Sequence, residues 1–233
     1  MNKPQIIYDF LCRLEPFAKN NAAQPYTSIK LALNVDDSNY NRCKHKLAQT
    51  VFDVVDFIKV DHSNDNDYKW EEKLVRLLIN TPHDQVTFLS LARSLFPDTK
   101  IFIQSQIRIW NLVNSRIQNI SEDDISKLKG DTLLLIENII KNHELNDDIK
   151  AYIIRQLRLI IEALDHYHIY GNEGLSEILE QTIGHAFTNK NYQEFMKSDT
   201  SKTWQEYLGR FSLAIATTES VLSIGTTLQN LIP

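Results

Sequence analysis

Apolar residues recur along this chain at intervals of three and four, and that periodicity predicts helix after helix. Ile6, Ile7, Phe10, Leu11 and Leu14 form the first stripe, opened by Pro4 at a first-turn position and followed by Pro16. A short helix is expected over residues 26–34. A long amphipathic one runs from Asn39 to Val60, carrying Cys43, Leu47, Val51, Val54, Val55 and Ile58 on one stripe. After the turn-rich segment VDHSNDND come Trp70, Leu74, Leu77 and Leu78. Thr81-Pro82-His83-Asp84 then reads as a cap and an N-terminal proline for a helix carrying Val86, Leu89, Leu91 and Leu95.

Residues 101–109 carry two patterns at once. Ile101, Ile103, Ile107 and Ile109 alternate as in a strand, while Phe102, Ile109, Trp110, Val113 and Ile117 have helical spacing; the absence of turn residues up to Ile120 favours a helix. Ser121-Glu122-Asp123-Asp124 resembles a capping box, Gly130 reads as a helix stop, and Asp131 as the cap of the next helix. Asn146-Asp147-Asp148 opens a helix with its stripe at Ile149, Ile153, Leu157, Ile160, Ile161 and Leu164. Further helices are expected over about 173–187 and 200–231. The fold class that follows is all-α, an irregular multi-helix bundle of about nine to eleven helices with short loops, and no fixed-period repeat marks a regular solenoid.

Composition divides the chain. Five of six prolines lie within the first 97 residues, and all six glycines lie after residue 129. Residues 1–120 hold 15 basic and 13 acidic side chains, residues 121–233 hold 10 and 17. Two lobes are expected, 1–120 punctuated by proline and 121–233 punctuated by glycine and acidic, or one continuous domain. The two cysteines, Cys12 and Cys43, form no CxxC pair, and both sit in apolar-periodic segments; buried thiols in a reducing, cytoplasmic compartment are the expectation. The first residues, MNKPQIIYDFLCRLEPF, read as no signal peptide, and the run FSLAIA falls far short of the ~20 residues of a membrane helix.

The stretch ALDHYHIYGNEGL, Ala163 to Leu175, concentrates the side chains of a site. His166 and His168 are two residues apart, hence about 200° apart on a helix, and do not chelate one ion. Glu162 and His166 have the i, i+4 spacing of a metal pair but lack a third ligand in sequence reach. The structural alternative is a corner: a helix to about Tyr170, Gly171 left-handed, Asn172 capping the next helix, and tyrosines packing the corner with wet hydroxyls. A partner-binding surface at Tyr167, His168, Tyr170 and Glu173 fits the same residues. The small-residue segment FSLAIATTESVLSIGTTLQNLIP is the second candidate surface.

Other chemistry is less well signalled. The basic cluster Arg42, Lys44, His45 and Lys46 has acids around it and reads as a solvated helix face. Residues 70–116 resemble a helix-turn-helix, whose DNA reading requires Lys73, Arg76, Arg93, Lys100, Arg108 and Arg116 on one face. The chain contains no GxSxG, HExxH or Gly-rich phosphate loop, and no cofactor is implied.

The segment LIIEALDHYHIYGNEGLSEILEQTIG, residues 159–184, is similar to an element of uncharacterised bacterial helical proteins, some near mobile elements or phage-defence genes. The resemblance covers about a tenth of the chain and brings no functional residue with it. It implies a bacterial accessory, immunity or defence protein. Together these readings predict a non-catalytic helical interaction or regulatory protein, binding a protein partner or itself, with a DNA-binding regulator and a metal-dependent enzyme at Glu162 and His166 as alternatives.

Overall fold

The computed structural model describes residues 2–61, 69–113 and 119–215. Among these residues the chain is all helical, with eleven α-helices and one 3-10 turn and no strand. Two compact units divide it, Met1–Ser115 and Arg116–Pro233.

The first unit is built around α1 (Lys3–Lys19), which packs against α2 (Pro25–Leu33), α3 (Tyr40–Asp61), α5 (Gln85–Arg93) and α6 (Asp98–Val113), while α4 (Lys69–Ile79) lies between α3 and α5. Asn2 starts α1, its side chain accepting from the Gln5 N–H at 3.1 Å. The expected stripe Ile6, Ile7, Phe10, Leu11 and Leu14 is buried, but the helix continues through Pro16 to Lys19. Its last turn is held from outside, where Arg93 Nε of α5 donates to the Ala18 carbonyl at 2.8 Å. Lys100 of α6 pairs with Glu15 at 2.7 Å, and Lys3 pairs with Asp53 of α3 at 3.0 Å.

Residues 101–109 are helical, within α6. The cap of α5 is Asp84, which accepts from the Thr87 N–H at 2.7 Å, so Pro82 lies before the helix rather than in its first turn. Thr81 instead closes α4, donating to the Leu77 carbonyl at 2.9 Å. Val86 points to solvent, 78% exposed, outside the stripe expected of it. Cys43 is buried, its thiol pushed up to about 12 by burial, whereas Cys12 is half-buried.

The second unit comprises α7 (Glu122–Lys141), α8 (Asp147–Asp165), α9 (Tyr167–Thr188), α10 (Lys190–Met196), the 3-10 turn Asp199–Ser201, and α11 (Lys202–Ile215). Ser121 caps α7 as expected, accepting from the Asp124 N–H at 3.1 Å. Gly130 does not end it. A mid-helix glycine costs only about 1 kcal/mol relative to alanine, and Thr132, two residues on, is fixed in the helix by a bond to the Leu128 carbonyl and another with the Tyr207 hydroxyl of α11, at 2.6 and 2.7 Å. The helix expected over 200–231 is preceded by α10, which Asn189 caps; beyond Ile215 the expected helix lies outside the described residues.

An aromatic seam fills this unit. The Trp204 indole donates to the Tyr192 hydroxyl at 2.8 Å, and Trp204, Tyr207 and Phe211 stack along α11. By contrast, α7 packs mainly against α8 and buries only Thr132, Leu135 and Ile139, while Leu133, Leu134 and Ile140 are 47%, 63% and 53% exposed. No helix among the described residues is long and apolar enough to cross a membrane.

The Glu15 carboxyl, hydrogen-bonded by Lys100 and then Lys19, is held at about 2, below its ordinary 4.5. Its folded value is depressed, so its stabilisation is full above about pH 4.5 and lost as pH falls towards 2. Thermal unfolding of Glu15→Gln followed by circular dichroism between pH 2 and 6 is expected to show a flatter acid limb than the parent; parallel curves refute the pairing.

Candidate functional site

The corner between α8 and α9 is sharper than the sequence pattern implies. Helix α8 ends at Asp165, five residues before the expected Tyr170, and His166 leaves helical geometry with φ −114° and ψ 34°. A single turn, Tyr167 to Tyr170, follows. Gly171 then has φ 59° and ψ −170°, and the helix resumes. Positive φ at Gly171 is the expected feature, but its ψ lies outside the left-handed helical region, in a region that only glycine populates readily. At Gly174 an added Cβ would stand 2.8 Å from the Tyr170 Cβ and Cδ1, so glycine there lets the Tyr170 side chain lie close against the helix.

Tyr167 holds the corner from within. It is buried, and its hydroxyl accepts the Ile120 backbone N–H at 3.0 Å while donating to the Asn172 side-chain oxygen. Burial raises its pKa above the ordinary phenol value. The expectation of a wet hydroxyl is therefore corrected for Tyr167: two internal partners replace water. Its hydroxyl ties the segment before α7 to the start of α9. Lys129 of α7 adds an ion pair with Asp165 at the end of α8.

Of the four residues named for a partner surface, Tyr167 is interior, His168 and Tyr170 are half-buried, and Glu173 is exposed. The Tyr170 hydroxyl donates to Glu162 at 3.1 Å. That carboxylate is thus directed to a tyrosine, while His166 is buried with Nδ1 lacking a hydrogen-bond partner among the described residues. No group of three His, Cys, Asp or Glu side chains suited to a metal ion occurs among the described residues. Glu162 and His166 belong to no such group among the described residues.

The described cations of the helix-turn-helix reading have different neighbours. Arg93 reaches back to Ala18 and Asn21, and Lys100 to Glu15, both toward α1. Lys73 donates to the Ser94 carbonyl at 3.3 Å and shares a groove between α4 and α5 with Lys69 and Arg76. Arg108 is exposed on α6, and Arg116 lies outside the described residues.

A second cluster has no counterpart in the sequence reading. Tyr152 of α8 stacks on His185 of α9 at 4.1 Å, with Tyr192 at 4.9 Å and the Arg155 guanidinium 5.6 Å from the Tyr152 ring centre. Burial, then Arg155, holds the His185 pKa below its ordinary value, and burial lifts the Tyr152 phenol to about 12. Only the three-residue spacing of Tyr152 and Arg155 was visible in sequence; His185 and Tyr192 reach them through tertiary packing.

Alongside α7, a groove of about 200 Å³ toward α11 is lined by Leu134, Leu135 and Tyr207, with Asp131 and Arg210 among its polar residues. No protein-family model, curated protein or solved structure matches the chain.

Replacing Tyr167 by Phe removes both bonds of its hydroxyl and is expected to cost about 1–3 kcal/mol. Gly171→Ala forces a side chain into a glycine-only conformation, at about 1–3 kcal/mol. Both are read as losses in urea unfolding of the full chain; a variant as stable as the parent contradicts the corner geometry.

Proposed function

We propose that the chain is a non-catalytic interaction protein that binds a protein partner through the outer side of α7. The observation that supports this reading is the under-burial of that helix. Only three of its twenty residues are buried, yet it carries Leu133, Leu134 and Ile140 at the surface. Exposed apolar side chains clustered on one element mark binding surfaces more often than scattered ones do. The neighbouring groove mixes apolar Leu134, Leu135 and Tyr207 with Asp131, Asn138 and Arg210, which suits an amphipathic helix of a partner. The corner that carries His168, Tyr170 and Glu173 is joined to α7 through Ile120–Tyr167 and Lys129–Asp165, and these three residues are part of the proposed surface. A place in a bacterial accessory, immunity or defence system is part of this proposal and rests on the resemblance of residues 159–184.

The double variant Leu133→Glu, Ile140→Glu tests it. Both side chains face solvent, so the variant is expected to keep the parent's circular dichroism and unfold within about 0.5 kcal/mol of it. Affinity purification from the native host with mass spectrometry is expected to recover a stoichiometric protein with the parent and to lose it, at least tenfold, with the variant. A parent that is monomeric and recovers no stoichiometric protein, or a variant that retains the partner, overturns the reading.

A further inference from the structure

Lys44 departs from the basic cluster in which the sequence places it. Arg42 and His45 are exposed on α3, as a solvated face requires, but Lys44 is buried, with only 9% of the residue exposed. Its nitrogen lies 5.1 Å from the centre of the Tyr40 ring, and Tyr40 packs on Tyr26 at 4.6 Å. These three residues line a pocket of about 330 Å³ together with Gln24, Thr81 and His83.

No acid lines this pocket. The two acids of the α2–α3 connection are directed elsewhere. Asp37 accepts from the Tyr26 hydroxyl at 2.6 Å and from Lys30 at 2.7 Å, and Asp36 accepts from the Ser38 hydroxyl and the Asn39 N–H at 2.7 and 3.0 Å. Among the described residues, Lys44 has the Tyr40 ring and no carboxylate as partner. The Lys44 stem is buried while its ammonium opens on the pocket, partly desolvated and faced by an aromatic ring rather than by an opposite charge.

We propose that this pocket binds a small anionic ligand, whose carboxylate or phosphate oxygen pairs with the Lys44 ammonium while its body lies against Tyr26 and Tyr40. The site supplies one fixed positive charge, two aromatic walls and polar groups from Gln24, Thr81 and His83. Burial alone holds the Lys44 pKa below the ordinary lysine value, so an anion that neutralises the penalty raises it again. The pocket belongs to the first unit and is independent of the α7 surface.

Lysine-selective NMR of the full chain, titrated separately with benzoate and with inorganic phosphate at constant ionic strength, tests the site. One lysine resonance, identified by its loss in Lys44→Met, is expected to shift saturably, and the same anion is expected to raise the melting temperature of the parent but not of that variant. A response to benzoate alone identifies a carboxylate ligand whose ring lies against the tyrosine pair, and a response to phosphate alone identifies a phosphate ester. Tyr26→Leu, at a residue 46% exposed, keeps the fold and is expected to weaken binding several-fold, which preserves the test if Lys44→Met does not fold. A Lys44 resonance unmoved by either anion, or an equal thermal response in Lys44→Met, overturns the proposal.

Discussion

The hydroxyl of Tyr167 is the constraint on which the second unit's surface depends. Helix α7 packs against α8 but buries only three side chains fully. Three polar ties add to that packing: Ile120 to Tyr167 at its start, Lys129 to Asp165 along its first half, and Thr132 to Tyr207 near its middle. Two of these use tyrosine hydroxyls in or near the core, where a hydrogen bond is stronger and more directional than at the surface. A helix held in this way is oriented without being covered. Leu133 and Ile140, seven residues apart, share an exposed side of the helix that flanks its buried stripe of Thr132, Leu135 and Ile139.

The first unit uses its charges differently. Arg93, Lys100 and Lys3 each reach α1 or pair across it, to the Ala18 carbonyl, Glu15 and Asp53. These long side chains lie along apolar surface and spend their donors on helix ends and carboxylates. The same arrangement turns Arg93 and Lys100, two of the six cations named for a DNA-reading face, toward α1 and its following turn. Lys44 is the exception, buried under an aromatic ring with the neighbouring acids committed to other donors. Contrast between Lys100 and Lys44, both on amphipathic helices, shows that a basic residue's role is decided by which acid the fold brings to it.

Fold class was legible in the sequence because 3.6-residue periodicity is local. The stripes of α1 and α3, and that of α8 except for half-buried Ile161, are buried where the spacing places them, and Ser121 and Asn146 cap the helices they precede. What escaped the sequence is tertiary. Gly130 carries stop chemistry but sits in a helix that Thr132 anchors, and α1 runs past Pro16 to a last turn that Arg93 holds at the Ala18 carbonyl. Gly171 was identifiable as a positive-φ residue, yet the earlier break at His166 was not, since no helix breaker marks it. At the candidate site, sequence found the corner but not its interior: whether Tyr167 faces water or Asn172 depends on Ile120, 47 residues away. The Tyr152–His185–Tyr192 stack was invisible for the same reason.

The central claim is that α7 is fixed on one side and open on the other, and site-specific thiol labelling measures this directly. In a Cys12→Ser background, with the native Cys43 buried, single cysteines at positions 133, 135 and 140 of the monomeric protein would be reacted with a maleimide. The account predicts that Leu133→Cys and Ile140→Cys react at nearly the rate of an unfolded peptide while Leu135→Cys is protected by at least tenfold. Protection at 133 and 140 equal to that at 135 would show a face already covered within the chain and would contradict it.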